Sequence, residues 1–585
     1  MIRWDSSTRK TVVGTFPLFV AILAACLLCI DTASGLSFRW VIAPLLTAIV
    51  ISWPTILVPD RWRGFVQLFV GEIAIAVCLV DCFCQEIFGS PITPQILSNI
   101  LLTDWRETQE FFSAFVGVYL LSHWRITALL FVVLLLPTAL LLQDKINDLL
   151  PFGKKTTYAS IAILTLCLLF EAIPTFRYAQ LFFQQGDFQR MEGLIFRQYH
   201  EEVPTPLHRF LFAYYSLNQS SHTLEDIKRT TFVAQVDSCS FRSPHIVLVV
   251  GESYNKHHST LYGYHLPTTP LQQKRKDAGD LYVFNDVVTP WNITSNALLG
   301  ILSLWEYGMT EGIGEVPLAP ILFCRAGYNV NFFSNQYLLR GFRKGFTNQA
   351  GHFFLADREL SDSMFTYRNR KTSKYDMGLV EQVRDYKIQN DRQTYTLDII
   401  HLIGQHFDYA ERYPTPDQSF SLDCYEGMHL TVEDKTNLMQ YDKATHYNDI
   451  VLDSIISLYQ SENAIVLFIS DHGEQAYDES SISGRLFQEP TASQARYEFE
   501  VPMWIWCSDS YRQGHPDVIR LIVESVNRPF LSDGMSQLLL YLAGISCPWY
   551  DDSRNLISPR YQPKQRIIGG SVDYDELMRD YSHPE

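Results

Sequence analysis

Long apolar stretches dominate the first third of the chain, whereas the rest has the mixed composition of a soluble protein. A helix needs about 20 mainly apolar residues to cross the hydrocarbon core of a bilayer. Most of the stretches reach or approach that length, so the pattern predicts five membrane-spanning helices. They cover residues 12–30, 41–59, 64–87, 126–143 and 156–173.

Lys and Arg residues flank these spans unevenly, and such residues are enriched on the cytoplasmic side of a membrane. Basic groups precede the first span, separate the second from the third, and separate the fourth from the fifth. These groups are Arg3, Arg9, Lys10, Arg61, Arg63, Lys145, Lys154 and Lys155. The pattern predicts a cytoplasmic N-terminus. An odd number of spans then places everything after about residue 175 outside the cytoplasm.

The pattern divides the chain into three parts. Residues 1–175 form the predicted all-α transmembrane domain. Residues 176–239 mix aromatic with charged side chains, which is typical of an interfacial helix or linker. From 240 to 585, short apolar runs alternate with helical patterns, which predicts an α/β/α domain.

Two short apolar runs of that last part end on acidic residues. The segment IVLVVGES (246–253) ends near Glu252, and IVLFISDHGE (465–474) continues into Asp471 and His472. Runs rich in Ile and Val are typical of buried parallel strands, whose carboxyl ends carry the ligands in open α/β sheets. The three side chains suit a catalytic zinc ion with one open position. Solvated polar residues at two unrelated strand ends are the simpler interpretation.

A helix with a threonine near its start is predicted between these two runs. In NDVVTPWNITSNALLGILSLW (285–305), apolar residues recur at helical spacing from Ala297 to Trp305, which places Thr294 near the N-terminus. Free backbone N–H groups favour an anion there. A Thr at such a position more often serves as an N-cap.

Charge and cysteine content narrow the functional classes. The net charge of −16 argues against a nucleic-acid partner. The predicted exported domain has an odd number of cysteines, so at least one of them has no partner within it, and their connectivity stays open. No spacing in that domain indicates a structural zinc site. Its cysteines are Cys239, Cys324, Cys424, Cys507 and Cys547.

Taken together, these segments resemble the membrane phosphoethanolamine transferases of the alkaline phosphatase and sulfatase superfamily. The resemblance covers nearly the whole chain, and its motifs follow in the family's order. They are GESYNKHHSTLYGYHLPTTP (251–270), NITSNALLGILS (292–303), YDMGLV (375–380), IIHLIGQHFDYAERYP (399–414), YDKATHYND (441–449), SDHGE (470–474) and FEVPMWIW (499–506).

The resemblance implies a function and a catalytic site. It implies transfer of phosphoethanolamine from phosphatidylethanolamine to a glycolipid or glycan acceptor of the envelope. Lipid A and the lipopolysaccharide core are favoured, and a periplasmic glucan or a protein hydroxyl is left open. The enzyme would lie in a bacterial inner membrane, with its catalytic domain in the periplasm. By the same resemblance Thr294 is the nucleophile, and it binds one catalytic zinc ion together with Glu252, Asp471 and His472. His406 would bind phosphate or shuttle a proton.

A donor-binding group is also implied. In QILSNILLTDWRETQEFF (95–112), Asn99, Thr103 and Glu107 share one face of a helix. They match family residues that hold the ethanolamine headgroup, although a polar stripe on an interfacial helix is the simpler interpretation. Arg340, in FFSNQYLLRG, falls near a family lysine that contacts the donor.

The chain departs from the family in two ways, and rival functions remain. Relatives usually carry a histidine about a dozen residues after the Asp-His pair, whereas here Arg485 and Arg496 are the cations between Gly473 and Pro502. A second zinc ion is therefore left open. No cysteine lies in 285–305 to brace the nucleophile with a disulfide. The rivals are a phosphoglycerol transferase of the lipoteichoic acid synthase type and a catalytically inactive membrane sensor or scaffold.

Overall fold

A computed structural model describes most of the chain. The described residues are 15–30, 39–88, 91–93, 96–97, 123–142, 205–336, 354–479, 482–486 and 490–582. Contacts divide the chain into two compact units. One comprises Met1–Gln219 with Leu486–Gln488, and the other comprises Ser220–Arg485 with Glu489–Glu585.

The described part of the first unit is helical. Two of its helices are long and apolar enough to cross a membrane, and the other two are shorter. Four of the five predicted spans therefore coincide with helices, while 156–173 lies outside the described residues. The helices are α1 (Phe16–Leu28), α2 (Arg39–Ser52), α3 (Asp60–Phe88) and α4 (Trp124–Leu141), and the two long ones are α3 and α4.

A buried ion pair lies in this unit. Asp81 of α3 pairs with Arg209, near the start of the next described helix, α5 (Pro206–Val233), and both side chains are almost fully buried. The Arg209 Nε lies 3.0 Å from Asp81 Oδ1. Gln85 and the backbone N–H of Ile92 also donate to the Asp81 carboxylate. A buried carboxylate persists only with such partners, because burying an unpaired charge is costly.

The second unit is built on a seven-stranded sheet, as the alternating pattern predicts. Its strands are β1 (His245–Gly251), β2 (Leu281–Phe284), β3 (Asn329–Ser334), β4 (Tyr367–Arg368), β5 (Thr396–His401), β6 (Ala464–Ser470) and β7 (Met503–Cys507). They lie in the order β2-β7-β6-β1-β5-β3-β4, and β7 runs antiparallel to both neighbours. The two apolar runs are the adjacent parallel strands β1 and β6, which confirms that part of the prediction.

Both faces of the sheet are buried, as in an α/β/α domain. Val247 and Val249 of β1 join one apolar cluster with residues of helices α10 (Asp376–Gln389) and α11 (Val432–Tyr459). Ile246 and Leu248 point to the opposite face and are equally buried. The helices are α6 (Pro270–Ala278), α7 (Thr294–Leu302), α8 (Ala319–Ala326), α9 (Arg358–Met364), α10 (Asp376–Gln389), α11 (Val432–Tyr459), α12 (Asp509–Gly514), α13 (Pro516–Ser525), α14 (Met535–Ala543) and α15 (Tyr574–Ser582).

The helix predicted around Thr294 is shorter than its apolar pattern. It ends at Leu302, and Ser303 is extended and forms a β-bridge with Leu318. The inclusion of Trp305 in the helical repeat is therefore wrong. Trp305 is buried by tertiary packing after the helix has ended, so its apolar side chain continues the helical pattern without belonging to the helix.

Candidate metal centre and nucleophile

The register of β1 and β6 brings the acidic strand ends together. Gly251 pairs with Ser470, so the residues that follow, Glu252 and Asp471, leave the sheet side by side. The Asp471 N–H donates to the Gly251 carbonyl at 3.1 Å, and the Asp471 carboxylate accepts from the Ser253 N–H at 3.2 Å. These backbone contacts fix both carboxylates at the carboxyl edge of the sheet.

Glu252, Asp471 and His472 form a compact set of possible metal ligands. One ligand atom of each lies within 4.8 Å of the others, and all three side chains are fully buried. The His472 Nε2 is 3.3 Å from Glu252 Oε1 and 3.3 Å from Asp471 Oδ2. The Asp471 Oδ2 is buried without a hydrogen-bond partner, which is costly for a carboxylate oxygen. Two carboxylates and one imidazole suit zinc.

The electrostatics of these groups also fit a cation. Burial and the adjacent Glu252 carboxylate raise the pKa of Asp471 well above its usual range. Burial opposes ionisation of Glu252 too, but the neighbouring groups, Arg485 among them, together outweigh burial and lower the Glu252 pKa. Two carboxylates in such contact favour sharing a proton, and a divalent cation can take the place of that proton. Burial lowers the pKa of His472, which keeps its ring in the neutral form that binds metal.

The tautomer of His472 leaves one ring nitrogen facing the site. Its Nδ1 lies 2.8 Å from the Gly473 carbonyl oxygen, which can only accept a hydrogen bond. The Nδ1 atom therefore carries the proton, and Nε2 presents a lone pair toward Glu252 and Asp471. A backbone carbonyl that orients a histidine in this way is typical of metal ligands.

Thr294 lies at the same place, on the first residue of α7. Its hydroxyl donates to Glu252 Oε2 at 3.0 Å and lies 3.3 Å from His472 Nε2. The N-cap of α7 is Ile293, and no side chain caps the helix. The alternative role of Thr294 as an N-cap is therefore wrong, because its hydroxyl points to the ligand cluster.

Two glycines permit the close approach of backbone segments around the cluster. A Cβ atom on Gly473 would collide with the Tyr497 carbonyl oxygen, so a larger residue would push His472 from its place. Gly404 has a φ of 46°, and a Cβ there would lie 2.7 Å from the Glu252 carbonyl oxygen. Glycine tolerates this left-handed conformation without the cost that a side chain brings.

His406 lies near the cluster but makes no hydrogen bond to it. Its Nδ1 is buried without a hydrogen-bond partner. Burial lowers the pKa of His406 to about 3, although the negative charge of Glu252 opposes that shift. The ring is therefore neutral at pH 7 and can accept a proton.

All four members of the predicted donor-binding group lie outside the described residues: Asn99, Thr103, Glu107 and Arg340.

Two further polar residues contact the cluster. Gln336, which follows β3, donates to Glu252 Oε2 at 2.9 Å and to the Leu402 carbonyl at 2.7 Å, so it orients a predicted ligand. Arg485 lies with its Nη1 2.7 Å from His472 Nε2. The sequence indicated Arg485 as one of two cations, either of which would bind phosphate where relatives have a histidine, and it carried no signal for Gln336.

The cysteines of the second unit are all free, and none lies in the segment around Thr294. Two of them are buried, two are half-buried, and Cys424 is exposed. Packing therefore holds α7 in place, since every one of its residues is buried.

Comparisons with known proteins agree with this architecture. The Sulfatase family model matches residues 244–539. The phosphoethanolamine transferase EptC of Escherichia coli K12 is 25% identical over 542 residues, which cover 90% of this chain and 88% of that protein. The phosphoethanolamine transferase CptA of Salmonella typhimurium is 26% identical over 344 residues, or 57% of each chain.

Two solved structures share the fold. The zinc complex of the C-terminal periplasmic domain of E. coli EptC matches with a TM-score of 0.51 and 24% identity, covering 59% of this chain and 98% of that one. The integral membrane lipooligosaccharide phosphoethanolamine transferase A of Neisseria meningitidis matches with a TM-score of 0.56 and 16% identity, covering 96% and 99%. The family match spans the sheet and also Glu252, Thr294, Asp471 and His472. The chain therefore belongs to the sulfatase family, and the relatives EptC and CptA are named as phosphoethanolamine transferases.

Proposed function

We propose that this protein is a zinc-dependent phosphoethanolamine transferase with Thr294 as its nucleophile. The observation that carries the proposal is the Thr294 hydroxyl, held 3.0 Å from Glu252 and 3.3 Å from His472 at the start of a helix. The transferred group is taken from the names of the relatives, which match along 90% of this chain in the case of EptC.

Glu252, Asp471, His472 and Thr294 would hold the zinc ion. Bound zinc supplies Lewis acidity, which lowers the pKa of a coordinated hydroxyl and offsets charge that develops on phosphorus. A relative's periplasmic domain has been solved as a zinc complex, which supports this choice of metal. The unpartnered Asp471 Oδ2 supports it from this chain's own structure.

The chemistry proceeds in two displacements at phosphorus. In the first, the Thr294 hydroxyl loses its proton as its oxygen bonds to the phosphorus of phosphatidylethanolamine, and the bond to the glycerol oxygen breaks, so that this oxygen takes up a proton and diacylglycerol is released. In the second, an acceptor oxygen loses a proton and attacks the phosphothreonine, and the bond between phosphorus and Thr294 breaks, so that Thr294 regains its proton. A covalent intermediate divides one difficult displacement into two easier ones.

His406 is the proposed proton carrier of this site. Its Nδ1 is buried without a hydrogen-bond partner, so this nitrogen is available to take the proton that the acceptor hydroxyl loses. The helix N-terminus at Thr294 favours the negative charge that the phosphoryl group brings.

The membrane arrangement belongs to the same proposal. The basic residues support a cytoplasmic N-terminus, and five spans would then put the catalytic unit in the periplasm of a bacterial inner membrane. The match to an integral membrane transferase along 96% of this chain supports that arrangement. Asn99, Thr103 and Glu107 are proposed to hold the ethanolamine headgroup of the donor, and Arg340 its phosphate.

The proposed acceptor is an envelope glycolipid, either lipid A or the core of lipopolysaccharide. An assay with two headgroup-labelled donors tests the proposal. The purified protein should transfer label from phosphatidylethanolamine to lipopolysaccharide and leave phosphatidylglycerol unused. Preference for phosphatidylglycerol would favour the lipoteichoic acid synthase type of reaction. A protein without either activity and without bound zinc would fit an inactive scaffold.

A further inference from the structure

Arg485 bridges the histidine ligand and the segment that carries the nucleophile. Its Nη1 donates to His472 Nε2 at 2.7 Å and to the Asn292 carbonyl oxygen at 2.9 Å. Asn292 precedes Thr294 by two residues, so the guanidinium lies beside the hydroxyl that would receive the phosphoryl group. The Arg485 side chain is only 15% exposed, and four carboxylates surround it.

The hydrogen bond from Arg485 to His472 cannot coexist with a metal on the same nitrogen. The proton of His472 lies on Nδ1, so Nε2 has one lone pair, which serves either a hydrogen-bond donor or a cation. When a cation takes that lone pair, the Arg485 N–H needs another acceptor. A phosphoryl oxygen on Thr294 would offer one, and guanidinium groups bind phosphate through several parallel hydrogen bonds.

Glu474 places a negative charge beside this guanidinium. Its side chain is 2% exposed, and its Oε2 lies 3.8 Å from Arg485 Nε. The Oε1 atom accepts a hydrogen bond from the Tyr409 hydroxyl at 2.5 Å, whereas Oε2 is buried without a hydrogen-bond partner. A buried carboxylate oxygen in that state marks a place where a donor group of a ligand would be stabilised.

From these contacts we infer that Arg485 and Glu474 form a subsite for the phosphoethanolamine group at the position of Thr294, in which Arg485 binds the phosphoryl oxygens and Glu474 the ammonium group. The residues proposed above for the donor would hold the intact lipid before transfer. This inference rests on the proposed function, and it explains selection of phosphoethanolamine over phosphoglycerol. In phosphoethanolamine two carbons separate the negative phosphoryl group from the positive ammonium group. The phosphoryl charge is opposite to that of Arg485, and the ammonium charge is opposite to that of Glu474. The glycerol tail has hydroxyl groups but no positive charge to meet the Glu474 oxygen that accepts no hydrogen bond.

Binding of two small phosphate esters tests the subsite. Free phosphoethanolamine and ethyl phosphate differ in the ammonium group and share the phosphoryl group. Their affinities are measured by calorimetry on the full-length, zinc-loaded protein in detergent, with Thr294→Ala in every variant to prevent turnover. Zinc content and thermal midpoint of each variant are measured in parallel, so loss of binding is not confused with loss of metal or fold.

The subsite predicts different effects for its two members. The Glu474→Gln variant should lose roughly ten- to a hundredfold in affinity for phosphoethanolamine, the effect of one charged hydrogen bond, and keep its affinity for ethyl phosphate. The Arg485→Gln variant should lose affinity for both esters to the same extent. The matched control is Glu498→Gln, which removes the same charge from a carboxylate whose oxygens already accept from Asn292 and Gln475. It should keep the preference for phosphoethanolamine.

Other results would overturn the subsite. If Glu474→Gln still prefers phosphoethanolamine as the parent does, Glu474 does not bind the ammonium. If Arg485→Gln binds ethyl phosphate normally, Arg485 does not bind the phosphoryl group. The parent comparison of the two esters holds even if a variant fails to fold, and equal affinities there would refute the subsite. Failure of the proposed function is recognised separately, because wild type would then form no phosphoethanolamine adduct on Thr294 from phosphatidylethanolamine.

Discussion

Replacing His258 tests how far a buried ion cluster next to the candidate metal site stabilises the second unit. Its Nδ1 lies 2.7 Å from Asp442 Oδ1, and its Nε2 lies 3.0 Å from Asp478 Oδ1. Both ring nitrogens thus donate, which requires the charged imidazolium. Asp478 also accepts a hydrogen bond from Asn255, three residues after Glu252, so the cluster connects to a predicted metal ligand.

The structure sets the magnitude of the expected effect. Burial alone would lower the pKa of His258, but Asp478 and Asp442 outweigh it and raise the pKa to about 10. A rise from 6.5 to about 10 corresponds to about 5 kcal/mol, at about 1.4 kcal/mol per tenfold change in affinity for the proton. Independently of the pKa, removal of one partner from a buried ion pair lowers the free energy of unfolding by about 3–5 kcal/mol. We therefore expect His258→Gln to destabilise the catalytic unit by about 3–5 kcal/mol.

The pH dependence provides a second observable. Because the folded pKa of His258 is raised, its stabilisation is complete below about pH 6.5 and is lost as pH rises toward about 10. Denaturant unfolding of the full chain in detergent, followed by tryptophan fluorescence, measures both effects. Wild type should lose its advantage over His258→Gln between pH 7 and 10, and the control His265→Gln, at an exposed histidine, should match wild type. If His258→Gln is as stable as wild type, or if the stability difference between them does not change with pH, a charged His258 does not stabilise the unit.

Three further predictions concern the metal, the first unit and the topology. Asp471→Asn should reduce zinc content and transfer activity together, as measured by elemental mass spectrometry and the labelled-donor assay; full zinc with no activity would contradict its role as a ligand. Asp81→Asn should destabilise the first unit by about 3–5 kcal/mol, because Arg209 stays buried without its counter-charge. Resistance to trypsin in detergent measures this effect, and unchanged cleavage would disprove it. A reporter that is active only in the cytoplasm, fused after Glu585, should be silent, and activity there would reverse the predicted orientation.

The strands and their convergence could be predicted because they follow from local pattern and sheet geometry. Runs of Ile and Val predicted β1 and β6 as buried parallel strands, and parallel neighbours bring their carboxyl ends together. Glu252 and Asp471 therefore meet at one edge of the sheet. The antiparallel direction of β7 could not be read from its residues, since a buried strand has the same apolar composition in either direction.

Residues in irregular segments could not be placed from sequence. Arg485 follows a short hairpin, and Gln336 follows β3, so neither position has a periodicity that shows what its side chain contacts. Their contacts with His472 and Glu252 depend on the path of the loop in space. The end of α7 was also missed, because Trp305 is buried by tertiary contacts and continues the apolar pattern after the helix has ended.

Trapping the covalent intermediate shows whether Thr294 is the nucleophile. Wild-type protein is incubated with phosphatidylethanolamine in the absence of acceptor, digested, and analysed by fragment mass spectrometry. The nearest competing hydroxyls face other groups, since Thr289 donates to the Trp291 carbonyl and Ser295 to the Asn296 side chain. We expect one phosphoethanolamine group on Thr294 and none in Thr294→Ala. An enzyme that turns over normally without an adduct on Thr294 would contradict this expectation.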